Sequence, residues 1–152
     1  MRRCALGWMW GLTLGALAAS AMAANTETRA DARNRTNYLL HCSGCHQPNG
    51  DGRPDSGIPR MSGQVGHFLR LPEGRAFLVQ VPGTSQSSLG DADTAAMLNW
   101  MLYAISRNEV PADFVPYTTD EVTRLRAVPL NDAPHTRQLV VDKLRAQGFK
   151  LD

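Results

Sequence analysis

Residues 42–46 read Cys42-Ser43-Gly44-Cys45-His46, and this pentapeptide constrains the fold more than any other stretch of the chain. In C-x-x-C-H, two thiols three positions apart reach two vinyl groups on one edge of a macrocycle, and the next residue carries an imidazole to the iron. Ser43 and Gly44 are small enough to let the porphyrin edge lie against the backbone. The motif is the attachment signature of a c-type haem. Cys42 and Cys45 are therefore expected as the thioether positions, with His46 as the proximal axial ligand.

Three other chemistries use a C-x-x-C pair. A thioredoxin-like dithiol sits near a βαβ pattern, whereas the segment after His46 is turn-rich, Pro48-Asn49-Gly50-Asp51-Gly52-Arg53-Pro54. A structural zinc site needs four ligands. His41, His46, His67 and His135 are available to complete one, but no second paired motif exists. A Cys42–Cys45 disulfide suits an exported chain.

Export is the expectation from the first 23 residues. Met1-Arg2-Arg3 is a short positive start, an apolar run extends from Cys4 to Ala19, and Ala21-Met22-Ala23 offers small residues at a cleavage site. That is the order and length of a signal peptide, with an apolar run shorter than a spanning helix requires. An uncleaved leader would serve as a membrane anchor, the only membrane contact expected. Cleavage leaves two cysteines in an oxidising, periplasmic compartment.

Charge excludes one class of partner. The chain carries 16 Lys and Arg against 14 Asp and Glu. Arg2 and Arg3 lie in the leader, so the remainder is balanced. A nucleic-acid binder shows a basic excess or stripe. The apolar supply is modest for a domain this small, which favours a covalently held cofactor.

Helical signals dominate and alternating strand patterns are missing, so the fold is expected to be all-α. Asp31 to His41 reads as a helix leading into the motif. Residues 47–60 are a Gly/Pro/Asn/Asp loop, and a short helix is expected over Ser62–Leu69. Pro72 is placed to open a helix through Val79, and Val81–Ser88 reads as a loop. Asp91 to Ser106 is rich in Ala, Leu and Met, with acidic residues in its first turn. Thr118-Thr119-Asp120-Glu121 is a capping box, and Asp132-Ala133-Pro134 opens a last helix ending near Gly148.

Over about residues 31–107 the chain resembles the class I cytochrome c family. The resemblance is carried by Cys42–His46, by Tyr38 one turn before the first cysteine, and by Trp100 in Ala95-Ala96-Met97-Leu98-Asn99-Trp100-Met101-Leu102. It implies a cytochrome c domain over 31–107, in which the first helix crosses the helix carrying Trp100. Asn34 stands where the family has a small glycine. Pro59 in Gly57-Ile58-Pro59-Arg60-Met61 matches the proline whose carbonyl steadies the proximal histidine. Tyr38, Met61, Met97 and Trp100 are implied as pocket walls. The implied function is one-electron transfer between periplasmic redox proteins, with one haem c and no enzymatic activity. No acid–base pair for O–O cleavage is evident.

The sixth iron position stays open. The family's ligand methionine usually precedes the last helix, often followed by proline, and this chain has Val81-Pro82 there. Candidates are Met61, Met97 and His67, with Met61 implied on the histidine side and Met97 more often core filler. A vacant position would make the chain a haem-based binder or sensor of small ligands. Docking through the tail would make it an electron-accepting subunit of a periplasmic dehydrogenase. Arg60, Arg70 and Arg75 are candidate propionate partners. Residues 108–152 lie beyond the family core as an extension. Phe114, Val115, Leu125, Val128, Leu139, Val140, Leu144 and Phe149 are available to dock it on the domain.

Overall fold

The computed structural model describes residues 28–152, so the expected leader, with Cys4 and the cleavage site, lies outside the described residues. The chain divides into two units. Of the first, Met1–Arg33, residues 28–33 are described, and they are helical and exposed. Everything that follows concerns the second unit, Asn34–Asp152.

This unit is built of helices. Helix α1 covers residues 34–41 and α2 is a single turn, Ser43–His46. Then come α3, Pro72–Gln80; α4, Pro82–Ser85; α5, Asp91–Ile105; α6, Thr119–Arg126; and α7, Ala133–Ala146. Short 3-10 turns occupy Pro54–Ser56, Val65–Arg70 and Arg107–Glu109. Among the described residues the β-structure is one isolated bridge, Arg53 to Ile58. No described helix is long and apolar enough to cross a membrane.

Helix ends fall where the side chains stop them. Thr118 Oγ1 accepts the Glu121 amide, and Asp132 accepts the His135 amide, so α6 and α7 start on their caps. Pro72 and Pro134 sit in first turns, where no amide hydrogen is needed. Gly148, at φ 91°, closes α7, and the Phe149 amide returns to the Leu144 carbonyl.

Two expectations change in detail. The short helix expected over Ser62–Leu69 is present as the 3-10 segment Val65–Arg70, a tighter turn that aims Val65 and Phe68 inward. Val81–Ser88 is not all loop. Pro82 presets the first φ, and the Ser85 amide closes a turn on the Val81 carbonyl, giving α4.

The core joins Tyr38 of α1, Phe77, Leu78 and Val79 of α3, the Met97, Leu98, Met101 and Leu102 face of α5, Val122 of α6, and Val140, Val141 and Leu144 of α7. Residues 108–152 are thus packed into the same core as the helices before them. Phe114, Leu125, Val140, Leu144 and Phe149 carry that packing. Val115, Val128 and Leu139, expected to help, face solvent instead. Leu139 falls on the outer face of α7, and Val115 and Val128 lie in irregular chain outside the helices.

Candidate functional site

Cys42 to His46 lie on one tight turn whose position is fixed from both sides. The Tyr38 hydroxyl, one helical turn upstream, donates to the Gln47 carbonyl at 2.8 Å. Gln47 itself adopts φ 64°, a left-handed conformation rare outside glycine, and its side-chain amide donates to the Gly52 carbonyl. The loop then doubles back. Arg53 and Ile58 exchange backbone hydrogen bonds of 2.9 and 3.1 Å around the Pro54–Ser56 turn. Gly52, at φ 63°, lets the returning chain approach: a Cβ there would stand 2.4 Å from the Pro59 carbonyl oxygen. This brings the Pro59 carbonyl to 3.2 Å from His46 Nδ1. With Nδ1–H donating to that carbonyl, Nε2 is left as the free lone pair of the ring.

His46, Cys42 and Cys45 open on a cavity of about 650 Å³. Its walls are mostly hydrocarbon and thioether. Pro59 and Met61 follow His46 on the returning loop, α5 contributes Met97, Leu98 and Met101, and the 3-10 segment contributes Val65 and Phe68. Phe77 and Leu78 come from α3, and Val81, Gly83 and Thr84 from the α3–α4 corner. The mouth is edged by Arg60 and by a tail the motif did not announce: Ala133, Pro134, Arg137 and Gln138 of α7, with Asp152. No local sequence signal places α7 there. It arrives because Val140, Val141 and Leu144, further along the same helix, are buried in the core.

Burial sets the electrostatics. It pushes the Cys42 thiol up to about 11, with the nearby Cys45 adding to the rise. It also lowers the His46 imidazole, against a smaller opposing effect of the Pro59 carbonyl, so the neutral ring is favoured. Both cysteines are free thiols, Cys45 the more exposed. Among the described residues no cluster of three or more His, Cys, Asp or Glu side chains is placed to hold a metal ion.

Other expected residues are elsewhere. His67 is absent from the cavity wall. The 3-10 turn that sends Val65 and Phe68 inward sends His67 against Phe149, ring centroids 4.8 Å apart, with its Nδ1 buried and unpartnered. Tyr38 and Trp100 do not line the cavity either; they pack on each other at 6.0 Å and join α1 to α5. Arg75 is committed to Glu121, Nε and Nη2 donating to its two carboxylate oxygens at 2.6 and 2.7 Å. Arg70 lies 4.6 Å from the Phe149 ring centre and donates to the Glu109 carbonyl. Of the three arginines, Arg60 alone edges the cavity, 3.6 Å from the Asp152 carboxylate.

Comparison with known proteins accords with this geometry. Two proteins named cytochrome c-552, both from Thermus thermophilus and one of them from its strain ATCC 27634, are each 32% identical to the chain over 127 residues. The match covers 72% of this chain and 92% and 82% of theirs. The chain belongs to the class I c-type cytochromes. No family model matches it. The cytochrome has the all-α fold of that family, and its cofactor is a covalently attached c-type haem. The cavity fits such a group. It is large and apolar, two thiols and an imidazole meet on one turn at its edge, and two guanidiniums stand at its mouth. The cytochrome is a haem-based electron-transfer protein.

Proposed function

We propose that this cytochrome carries single electrons between redox proteins in the periplasm, on a haem attached through Cys42 and Cys45 and ligated by His46. The observation that supports the reading best is the His46 Nδ1 to Pro59 carbonyl contact at 3.2 Å. It fixes the tautomer and the ring plane, and it directs Nε2 away from the loop, as an axial ligand requires. The haem, when bound, supplies a one-electron couple at its iron.

The chain's own residues set the conditions for that couple. The hydrocarbon of Phe68, Phe77 and Leu78 excludes water and disfavours net charge in the cavity. Arg60 and Arg137 at the mouth offer forked donors to the two carboxylates a haem carries. Cys45 is exposed, and the Cys45 edge is the short path by which an electron enters and leaves. No covalent bond is made or broken in the transfer, so no general acid or base is needed. Export by a leader over residues 1–23 would deliver the chain to an oxidising compartment, where haem attachment to thiols takes place.

The test is maturation of the full-length chain in a periplasmic host, followed by haem staining on a denaturing gel. Wild type is expected to retain its haem, and the C42A/C45A double variant to lose it. His46→Ala should retain covalent haem but lose the histidine ligation of its iron. Haem-free wild-type protein would sink the proposal.

A further inference from the structure

Residues 148–152 run from the end of α7 to the mouth of the cavity. Gly148, at φ 91°, turns the chain back, and a side chain there would meet open space. Phe149 packs on His67, ring centroids 4.8 Å apart, and the Arg70 guanidinium lies 4.6 Å from the centre of the same ring. Leu151 is buried, and the Asp152 amide donates to the buried Gln64 at 3.0 Å. Asp152 lines the cavity with Arg60 and Arg137. Its carboxylate is 3.6 Å from Arg60, and its carbonyl accepts from Arg137 at 3.1 Å.

His67 is the seat of this segment and stands off the cavity wall. It is half-buried, and its Nδ1 is buried without a partner. The neutral ring leaves that nitrogen free to carry no proton. The cation must carry one on both nitrogens, and a proton on Nδ1 finds no acceptor. Burial, and then the Arg70 charge on the same 3-10 segment, lower the imidazole below its ordinary value; Glu109, on the Arg107–Glu109 turn, opposes them. Of the other elements packed on the segment, α3 brings Glu73 and Arg75, and α7 brings Arg137, Asp142, Lys143 and Arg145. Each is engaged: Glu73 with Lys143, Arg75 with Glu121, Asp142 with Arg145, and Arg137 with the Asp152 carbonyl. Lys150 is exposed.

We propose that residues 148–152 are a strap over the cavity mouth, held at neutral pH and released when His67 takes up a proton. Protonation sets two cations against the one Phe149 ring and buries an unbonded Nδ1 proton. Both costs are relieved if His67 turns to solvent, which removes the support under Phe149. The chain then swings about Gly148 and draws Asp152 away from Arg60 and Arg137. The closed value of His67 is lowered, so the hold is complete above the open value, near 6.5, and is lost as pH falls through the closed value. The strap is a property of the fold and stands apart from what the cavity holds.

The experiment is hydrogen exchange of the matured full-length chain from about pH 8 to about pH 5, the range of histidine titration. Exchange at the histidine C2 position gives the His67 pKa in the same samples. Protection factors, corrected for the intrinsic pH dependence, are expected to fall at residues 149–152. The fall is about tenfold for each unit by which the closed value of His67 lies under the open one. The α5 amides should keep their protection. His67→Phe preserves a ring under Phe149 and should abolish the step. Asp152→Asn should weaken protection at every pH yet keep the step, and Arg70→Gln should raise the His67 pKa and shrink it. Protection of residues 149–152 that is flat in wild type, or a step that survives in His67→Phe, overturns the proposal. So does a His67 pKa at or above its ordinary value in the wild type, which requires no variant to fold.

Discussion

Glu121 accepts two hydrogen bonds from Arg75, and that contact, more than any other, holds its carboxyl below the usual carboxylate range. Arg75 also donates to the Val115 carbonyl and lies over Tyr117, whose hydroxyl is bonded to the Arg75 carbonyl. The group ties α3 to the segment leading into α6. A carboxylate with a depressed folded value stabilises the fold fully above its unfolded value, near 4.3, and loses that contribution as pH falls through the folded value. The expected outcome is that the gap in denaturation midpoint between wild type and Glu121→Gln is constant near neutrality and closes under acid. Titration of urea midpoints against pH checks it, and a gap that widened as the pH fell would contradict it. The same residues show what a short motif cannot convey. Glu121 was legible as a capping residue from Thr118-x-x-Glu121, and it does serve there. Its pairing with Arg75 was not, because 46 positions separate them. Arg75 therefore read as a free cation available to the cofactor.

At the scale of elements, two contacts hold helices at distances that one atom would spoil. Gly74, in the first turn of α3, faces the Phe68 carbonyl, and a Cβ there would lie 2.3 Å from that oxygen. Gly74→Ala must push α3 off the 3-10 segment and is expected to cost about 1–3 kcal/mol, an overpacking penalty. Equilibrium denaturation measures it, and an unchanged midpoint would mean that the segment yields freely. The second contact is Arg126 at the end of α6. Its guanidinium donates to the Ser85, Ser87 and Leu89 carbonyls and to Asp91, so one side chain secures the whole α4–α5 connection. Arg126→Lys keeps the charge and loses the fork. It is expected to lose about 2 kcal/mol, most of the effect of Arg126→Ala, because three carbonyls are left without their donor. Recovery of full stability by lysine would show that charge alone suffices. Elements with local punctuation were legible: Pro72, Thr118, Asp132 and Gly148 mark real helix boundaries. The short helix over Val65–Arg70 was legible within a few residues, whereas α4 was not, since a single turn has too few residues for a period to show.

The whole molecule closes its cavity with a segment that is remote in sequence. The motif at 42–46 could be read from the chain because it is local and its spacing carries the chemistry, and its Pro59 partner was implied by the family resemblance. The far wall and the mouth could not, since they depend on how α3, α4 and α7 pack. α7 does two jobs along its length, its first turns lining the cavity and its later turns filling the core. Leu144, fully buried, belongs to the core, and Leu144→Ala is expected to lower global stability by about 2–5 kcal/mol. Arg137 edges the mouth, where it donates to the Asp152 carbonyl at 3.1 Å. The Asp152 amide donates in turn to Gln64 at 3.0 Å, and Arg145 donates to the Leu151 carbonyl. This closure uses exposed or half-exposed hydrogen bonds, which open locally at small cost. Arg137→Ala should therefore speed hydrogen exchange at the Leu151 and Asp152 amides while leaving the α5 amides and the denaturation midpoint nearly unchanged. Leu144→Ala should speed both. Exchange measured residue by residue separates the two. If Arg137→Ala loosened α5 as much as Leu144→Ala does, the mouth would be part of the core's cooperative unit, and a molecule would reach the cavity only through global unfolding.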